Sequence, residues 1–358
     1  MSTTVTTGIQ SHGRTEHLRF SGWLSGLTVL LFVSITLAVA IGPVPIPALQ
    51  VWRIAFSELF NSRQGDWSQA QINIVWLIRF PRVLLGVFVG AGLSVVGMTM
   101  QAMVRNALAD PYLLGLSSGA SVGAVSVLVF GVFAFAGVYA ISVGAFLGAL
   151  LTFVLVFLLA WGNGRLTPTR LVLSGVAVAY FFSGLTSFIT LTSDNRELAR
   201  VVLAWLLGSL AGADWLDLTL PAAVLTIGVL YLALQARSLN ALILGDEAAI
   251  TLGVDTEQFR RHLFFVVSLV TGVMVAVSGA IGFIGLMVPH IARLLVGTDH
   301  RRALPITALV GAIFLTWVDV IARTVFEPVE LPVGIITSLL GGPFFLWLLR
   351  RQLKDWGG

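Results

Sequence analysis

The sequence predicts an all-α polytopic membrane protein of ten transmembrane helices, with helices 2–5 repeated in inverted orientation as helices 7–10. Three observations carry this. Of 358 residues, 57% are hydrophobic and only 11% charged, whereas soluble domains carry about 25% charged residues. Apolar runs close to the ~20 residues that cross a bilayer recur along the whole chain. Residues 79, 90 and 97 are matched in type at 261, 272 and 279, an offset of 182 that pairs Arg79 with Arg261, Gly90 with Gly272 and Gly97 with Gly279.

Taken in order, residues 1–21 read as a polar cytoplasmic tail, with Arg14, His17 and Arg19, ahead of a first span at 22–41. The tail is too long and the run too apolar for a cleaved leader. Gly42–Pro47 breaks this span, and an amphipathic or loop segment with Arg53, Glu58, Arg63 and Asp66 follows to about Asn73. The next spans are expected at 74–104, 111–133, 137–161 and 169–192. Residues 197–210 are short and lie in the interface. A sixth span covers 215–235, and the last four cover 262–283, 284–296, 303–325 and 332–350. Residues 22–351 thus form one ten-helix transmembrane domain, and 352–358 a second cytoplasmic tail.

Charge orients the chain, because loops rich in Arg and Lys stay in the cytoplasm. With the N-terminus inside, 14 basic residues face the cytoplasm against 7 outside, the latter being Arg53, Arg63, Arg79, Arg82, Arg196, Arg200 and Arg323. Both termini then lie inside, as an even number of spans requires.

Absences narrow the chemistry. There is no Cys, and the single Lys is Lys354, so no GxxxxGK[ST] phosphate loop exists. If ATP drives this protein, another chain binds it. The five histidines make no HxxxH or HExxH spacing, and no nucleophile–base pair or carboxylate dyad appears. The chain is not read as an enzyme, and no metal site or nucleic-acid partner is expected.

Between two apolar spans lies a polar island, 237–261, with Arg237, Asp246, Glu247, Asp255, Glu257, Arg260 and Arg261. Gly245 and Gly253 punctuate it, as residues that end short helices do. It is either a solvated connection or a docking surface. Small residues at spacing four (Gly86/Gly90, Gly115/Gly119/Gly123, Gly144/Gly148) read as close helix packing. Ser183, Thr186, Ser187 and Thr190 follow i, i+3, i+4, i+7 and share one side of span 5. They either bond to neighbouring helices or wall a water-filled path, and a path without fixed charge suits a bulky solute better than a small ion. Arg79 and Arg82 bracket Pro81, and Arg323 follows Asp319 by one helical turn. These arginines are membrane anchors, an Asp319–Arg323 pair, or contacts for an acidic partner.

The segment RFPRVLLGVFVGAGLSVVGMTMQAMVRNALADPYLLGLSSGASVGA (79–124) resembles the permeases of ATP-binding-cassette (ABC) importers for ferric siderophores, haem and cobalamin, a type II importer family. So do GDEAAITLGV (245–254), SGAIGFIGLMVPHIARLLVGTDHR (278–301) and ELPVGIITSLLGGPFFLWLL (330–349), and the likeness covers about 75–351. Ala107 departs from the Pro usual after Asn in this motif.

The resemblance implies a permease dimer, most simply a homodimer, in the inner membrane, with two cytoplasmic ATPase subunits and an external substrate-binding protein. ATP and Mg sit on the ATPase, and this chain holds no cofactor. The ATPase-coupling loop matches Leu239, Leu242, Gly245, Asp246, Glu247, Ala248, Leu252 and Gly253. The arginines that meet the binding protein match Arg79, Arg82 and Arg323. The translocation path, lined by helix 5, matches the Ser183–Thr190 stripe. Tyr112 inclines the expected cargo to a ferric siderophore, with haem or cobalamin as the alternative. From another class, an ion-coupled secondary transporter would need a titratable group such as Asp319.

Overall fold

The computed structural model describes residues 4–60, 65, 67–162, 165–193 and 196–356. Arg63 and Asp66 of the outer segment, and the extreme ends of both tails, lie outside the described residues. Ten apolar helices stand at the ten expected positions among the described residues. Seven are long enough to cross a membrane: Leu18–Ala40, Gln69–Val104, Ala134–Ala160, Pro168–Leu191, Leu216–Leu234, Thr256–Ser278 and His300–Thr324. The third, eighth and tenth are shorter, at Leu116–Phe130, Ile284–Val296 and Val333–Leu348.

Helix α1 runs unbroken over Thr4–Ala40, so the residues expected as a tail before position 22 continue the first span as helix. No proline precedes Pro43, and a helix nucleated by an apolar span propagates until something breaks it. Helix α2 (Ala48–Leu59) starts after Pro47 and buries Val51, Ile54 and Ala55, which settles the amphipathic alternative for that segment. Helix α3 (Gln69–Val104) contains a π-helical stretch, Asn73–Arg79, in which the Phe80 amide bonds to the Val75 carbonyl five residues back. The wider turn leads directly into Pro81, which has no amide to give and crowds the preceding turn.

Helices α4 (Leu116–Phe130) and α5 (Ala140–Ala160) form a tight pair. A Cβ at Gly119 would strike the Gly148 carbonyl, and one at Gly123 the Gly144 carbonyl. The spacing-four glycines are therefore a backbone-to-backbone crossing. A two-residue hairpin, β1 (Trp161–Gly162) with β2 (Arg165–Leu166), leads into α6 (Pro168–Leu191). The short α7 (Arg196–Leu206) precedes α8 (Thr219–Leu234). The polar island forms α9 (Ala236–Ile243) and α10 (Asp246–Thr251). Then come α11 (Thr256–Ser278), α12 (Ile284–Val296), α13 (His300–Thr324) and α14 (Val333–Trp356).

The most apolar stretch of α3 is 83% buried, against 22% for α1 and for α8. Helices α3, α11 and α13 are the centre, and the others surround them. The packing follows the repeat. Helix α3 packs on α13, and its counterpart α11 packs on α5. Spans 2 and 9 thus pair as spans 7 and 4 do, each central helix crossing into the other half, as an inverted repeat requires.

Gly97 sets the approach of α3 to α12, since a Cβ there would overlap the Gly285 carbonyl. Gly97→Val is expected to destabilise the bundle by about 3 kcal/mol through overpacking, read as a lowered unfolding temperature in detergent. An unchanged midpoint would show that the two helices part at no cost.

The non-helical stretch after α7 ties the end of α11 to the start of α14. The Ser209 amide bonds to the Ser278 carbonyl, while the Val333 and Gly334 amides at the start of α14 bond to the carbonyls of Gly208 and Leu207 after α7. Irregular backbone inside a membrane protein persists only where protein satisfies it in this way.

Candidate functional site: a clamped loop, an arginine network and an uncharged helix face

The polar island is two helices joined at an angle by Leu244 and Gly245, the latter at φ +113°, a conformation glycine adopts freely. Leu232, Ala236, Leu239 and Leu242 all face inward, because the helical periodicity of α8 continues through α9. Of the residues expected to touch a partner, Leu239 and Leu242 are therefore anchors within the chain. The outward side carries Leu244 (69% exposed), Ile250 (61%) and Leu252 (63%), with Glu247 beside them. Gly253 is exposed, while Gly245, Asp246 and Ala248 are half-buried. Ile243, Leu244 and Ile250 were not singled out from sequence, although the inward stripe ending at Leu242 pointed them outward.

Two polar clamps hold this loop. Asn240 donates to Asp299 (2.7 Å) and accepts from the His300 amide (3.0 Å), fastening α9 to the start of α13. Asp246 accepts from Arg260 at 2.8 Å, with Arg105 at 3.9 Å. Arg260 is buried and also reaches the carbonyls of Met103 (3.4 Å) and Leu166 (3.5 Å). Helix α10 is thereby joined to α11, to the end of α3 and to the hairpin. Burial pushes the Asp246 carboxyl pKa upward, but the Arg260 hydrogen bond and the charges of Arg260 and Arg105 outweigh it, and the net shift is downward. This clamp is at full strength above the ordinary carboxylate range and is lost as pH falls through the lowered folded value. An open cleft of about 610 Å³ lies beside it, between Leu166–Thr167 and the Ile250–Arg260 turn.

At the opposite ends of these helices the structure brings Arg79, Arg82 and Arg323 together, all buried. Arg79 donates to the carbonyls of Val39 (2.9 Å), Ala40 (3.2 Å) and Val44 (2.9 Å), and Arg323 donates to the Ala38 carbonyl. Ala38, Val39 and Ala40 lie in the last turn of α1, whose carbonyls have no partner further along the helix, so two arginines cap one helix. A Cβ at Gly42 would overlap the Arg79 guanidinium, which is why the chain turns there on glycine. Arg82 bridges Asp319 (3.0 Å) and Glu330 (2.8 Å). Asp319 also pairs with Arg323 at 3.7 Å, the one-turn spacing noted in the sequence. Only Glu330, 47% exposed at its side chain, opens this network to solvent.

Helix α6 has two opposed faces. Leu171, Gly175, Val178, Phe182, Thr186 and Ile189 are buried. Leu173, Ala177, Tyr180, Gly184, Ser187 and Leu191 form the exposed side. The expected polar stripe runs along the border between them. Ser183 and Ser187 are exposed, Thr190 is half-buried and Thr186 is buried. Ser187 bonds to the Ser183 carbonyl (2.9 Å) and Thr190 to the Thr186 carbonyl (2.8 Å), so both hydroxyls are partly spent on their own helix. No charged residue occurs from Leu171 to Leu191. The turn that carries Tyr112, Pro111–Leu114, packs on the Gly175 side of α6, opposite the exposed face.

The family model described as "FecCD transport family" matches residues 30–351. The chain is 42% identical over 353 residues to the hemin transport system permease protein HmuU of Yersinia pestis, covering 97% of this chain and all of that protein. It is 43% identical over 335 residues to the cobalamin import system permease protein BtuC of Halobacterium salinarum, covering 92% and 87% of the two chains. It is 42% identical over 291 residues to the Fe(3+)-citrate import system permease protein YfmD of Bacillus subtilis, covering 81% and 85%. A solved structure described as an inward-facing ABC transporter of metal-chelate type superposes with a TM-score of 0.79 at 30% identity, covering 92% of this chain and 98% of that one. Ten apolar helices in an inverted repeat, a clamped polar loop between the halves and a match over nearly the whole length lead to one conclusion: the chain belongs to the FecCD transport family, as a membrane-spanning ABC importer permease whose ATPase activity resides on a separate subunit.

Proposed function

We propose that the chain carries a ferric siderophore across the inner membrane, with both termini in the cytoplasm, between two copies of itself. The observation that carries the mechanism is the clamped loop. An apolar patch faces water on α9 and α10, while Asn240 and Asp246 fasten the same helices to α13, α11 and α3. An ATPase subunit seated on that patch would move the bundle rather than bend a loose connection. ATP binding then tilts the two permease halves and switches access from one side to the other. The chain supplies two conformations, whose balance the ATPase and the loaded binding protein bias.

The uncharged exposed face of α6 supports a bulky cargo of mixed polarity, and the relatives named for hemin, cobalamin and Fe(3+)-citrate support a metal chelate. Haem and cobalamin are the alternatives within this reading. Proteoliposomes holding the permease, its ATPase and its cognate binding protein should take up ferric siderophore in an ATP-dependent manner. Uptake of haemin or cobalamin in its place would reassign the cargo, and uptake driven by an ion gradient without ATPase would overturn the mechanism.

Arg79, Arg82 and Arg323 are proposed as the outer docking end, with Arg82 as the contact an acidic partner reaches. Its present partner, Glu330, is half-exposed on the segment before α14, so a carboxylate of the binding protein would compete with it. Glu330→Gln is accordingly expected to tighten binding-protein association several-fold, and Arg82→Glu to weaken it in a salt-sensitive way. Unaltered affinity in Arg82→Glu would refute docking at this end.

A further inference from the structure

A second basic cluster lies beside the α12–α13 turn, outside the outer arginine network and the coupling loop. Arg19, Arg293 and Arg302 line one cleft of about 310 Å³, together with Phe20, Leu294, Leu295 and Val296. Among the described residues no carboxylate lines it. Asp299, three residues before Arg302, is engaged elsewhere by Asn240 and the Arg301 amide. Arg293 lends one arm to Gln101, Arg302 also keeps a contact within the chain, and Arg19 is exposed.

The position of the cleft narrows the ligand. The apolar part of α1 begins at Leu18, α12 ends at Val296 and α13 begins at His300. The end of α12 and the start of α13 therefore meet α1 at the level where hydrocarbon gives way to headgroups. Leu294 projects into the surroundings, 54% exposed. Guanidinium groups offer several N–H donors in a fixed fork that suits phosphate oxygens. Three of them above an apolar wall match a phosphate with hydrocarbon below it, and a soluble anion would leave that wall in water. The charge count puts this end on the cytoplasmic side, where anionic lipids attract juxtamembrane arginines.

We infer that the cleft between the Arg19 turn of α1, the end of α12 and the start of α13 binds the headgroup of an anionic phospholipid. One bound lipid would bridge the first span to the α12–α13 turn. That turn also carries Asp299 and His300, the residues that clamp the coupling loop through Asn240. The inference does not depend on the identity of the cargo.

The test uses the full chain in detergent, titrated with dioleoylphosphatidylglycerol or dioleoylphosphatidylcholine and read by native mass spectrometry. One phosphatidylglycerol per chain is expected to bind roughly tenfold or more tightly than phosphatidylcholine. Arg19→Gln with Arg302→Gln should abolish the preference, and Arg19→Lys with Arg302→Lys should retain most of it. Arg293 is left intact because it also holds Gln101. Equal binding of the two lipids, or an unchanged preference in the glutamine double variant, overturns the inference. Displacement of phosphatidylglycerol by inorganic phosphate alone would make the cleft a site for a soluble anion and likewise overturn it.

Discussion

Asp319→Ala should destabilise the folded permease by about 3–5 kcal/mol, the cost of breaking a buried ion pair by removing one partner. Asp319 is buried between Arg82, at 3.0 Å, and Arg323, at 3.7 Å. Without it, two buried guanidinium groups face each other with only the half-exposed Glu330 carboxylate as counter-charge. Arg323 also caps the end of α1 through the Ala38 carbonyl, so repulsion within the pair would loosen α1 as well. Asp319→Asn keeps the shape and loses the charge, and should fall between alanine and the native protein. The check is the unfolding temperature in detergent, followed by size-exclusion recovery after heating. A midpoint equal to that of the native protein would mean that water already reaches the network. The same geometry accounts for Asp319 without ion coupling: its charge is the counter-ion of two structural arginines.

The second large effect belongs to the clamped loop. Leu244→Asp combined with Ile250→Asp should abolish co-purification with the ATPase subunit, since exposed apolar anchors at an interface are typically worth about 2 kcal/mol or more each. Two such losses correspond to a several-hundred-fold weaker complex. Both side chains are mainly in water, so the permease itself should keep its unfolding temperature. Leu242→Asp is the contrast. It would bury an unpaired carboxylate among α9, α3 and α13 and should unfold the region before any partner is met. Glu247→Arg, on the outward side, should give a smaller loss of ATPase association. A normal complex yield from the double aspartate variant would remove the docking role from this surface.

Much of this architecture was legible in the sequence because hydropathy is local. Each span announces itself in its own residues, so all ten apolar helices appeared where expected. The spacing-four glycines also stated their role in advance, as Gly123 against Gly144 shows. The continuation of α1 back to Thr4 was less legible, since polar residues outside lipid are compatible with helix and tail alike. The stripe on α6 was half legible. Its four residues do share one side of the helix, but spacing alone does not say where the boundary between buried and exposed falls, and that boundary runs between Thr186 and Ser187.

The sequence by itself determined that the chain is membrane-spanning, that it carries no GxxxxGK[ST] phosphate loop, and that 237–261 is a polar island between two halves. Composition, the lone Lys354 and local charge suffice for those statements, because none depends on a distant residue. Only the tertiary structure decided which side of the island faces outward and what its charges do. Asp246 meets Arg260 across 14 residues, Asn240 meets Asp299 across 59, and Arg82 meets Asp319 across 237. An arginine at a helix end reads alike whether it faces water, lipid or a buried carboxylate, and what distinguishes these cases is a partner brought near by the packing of other helices.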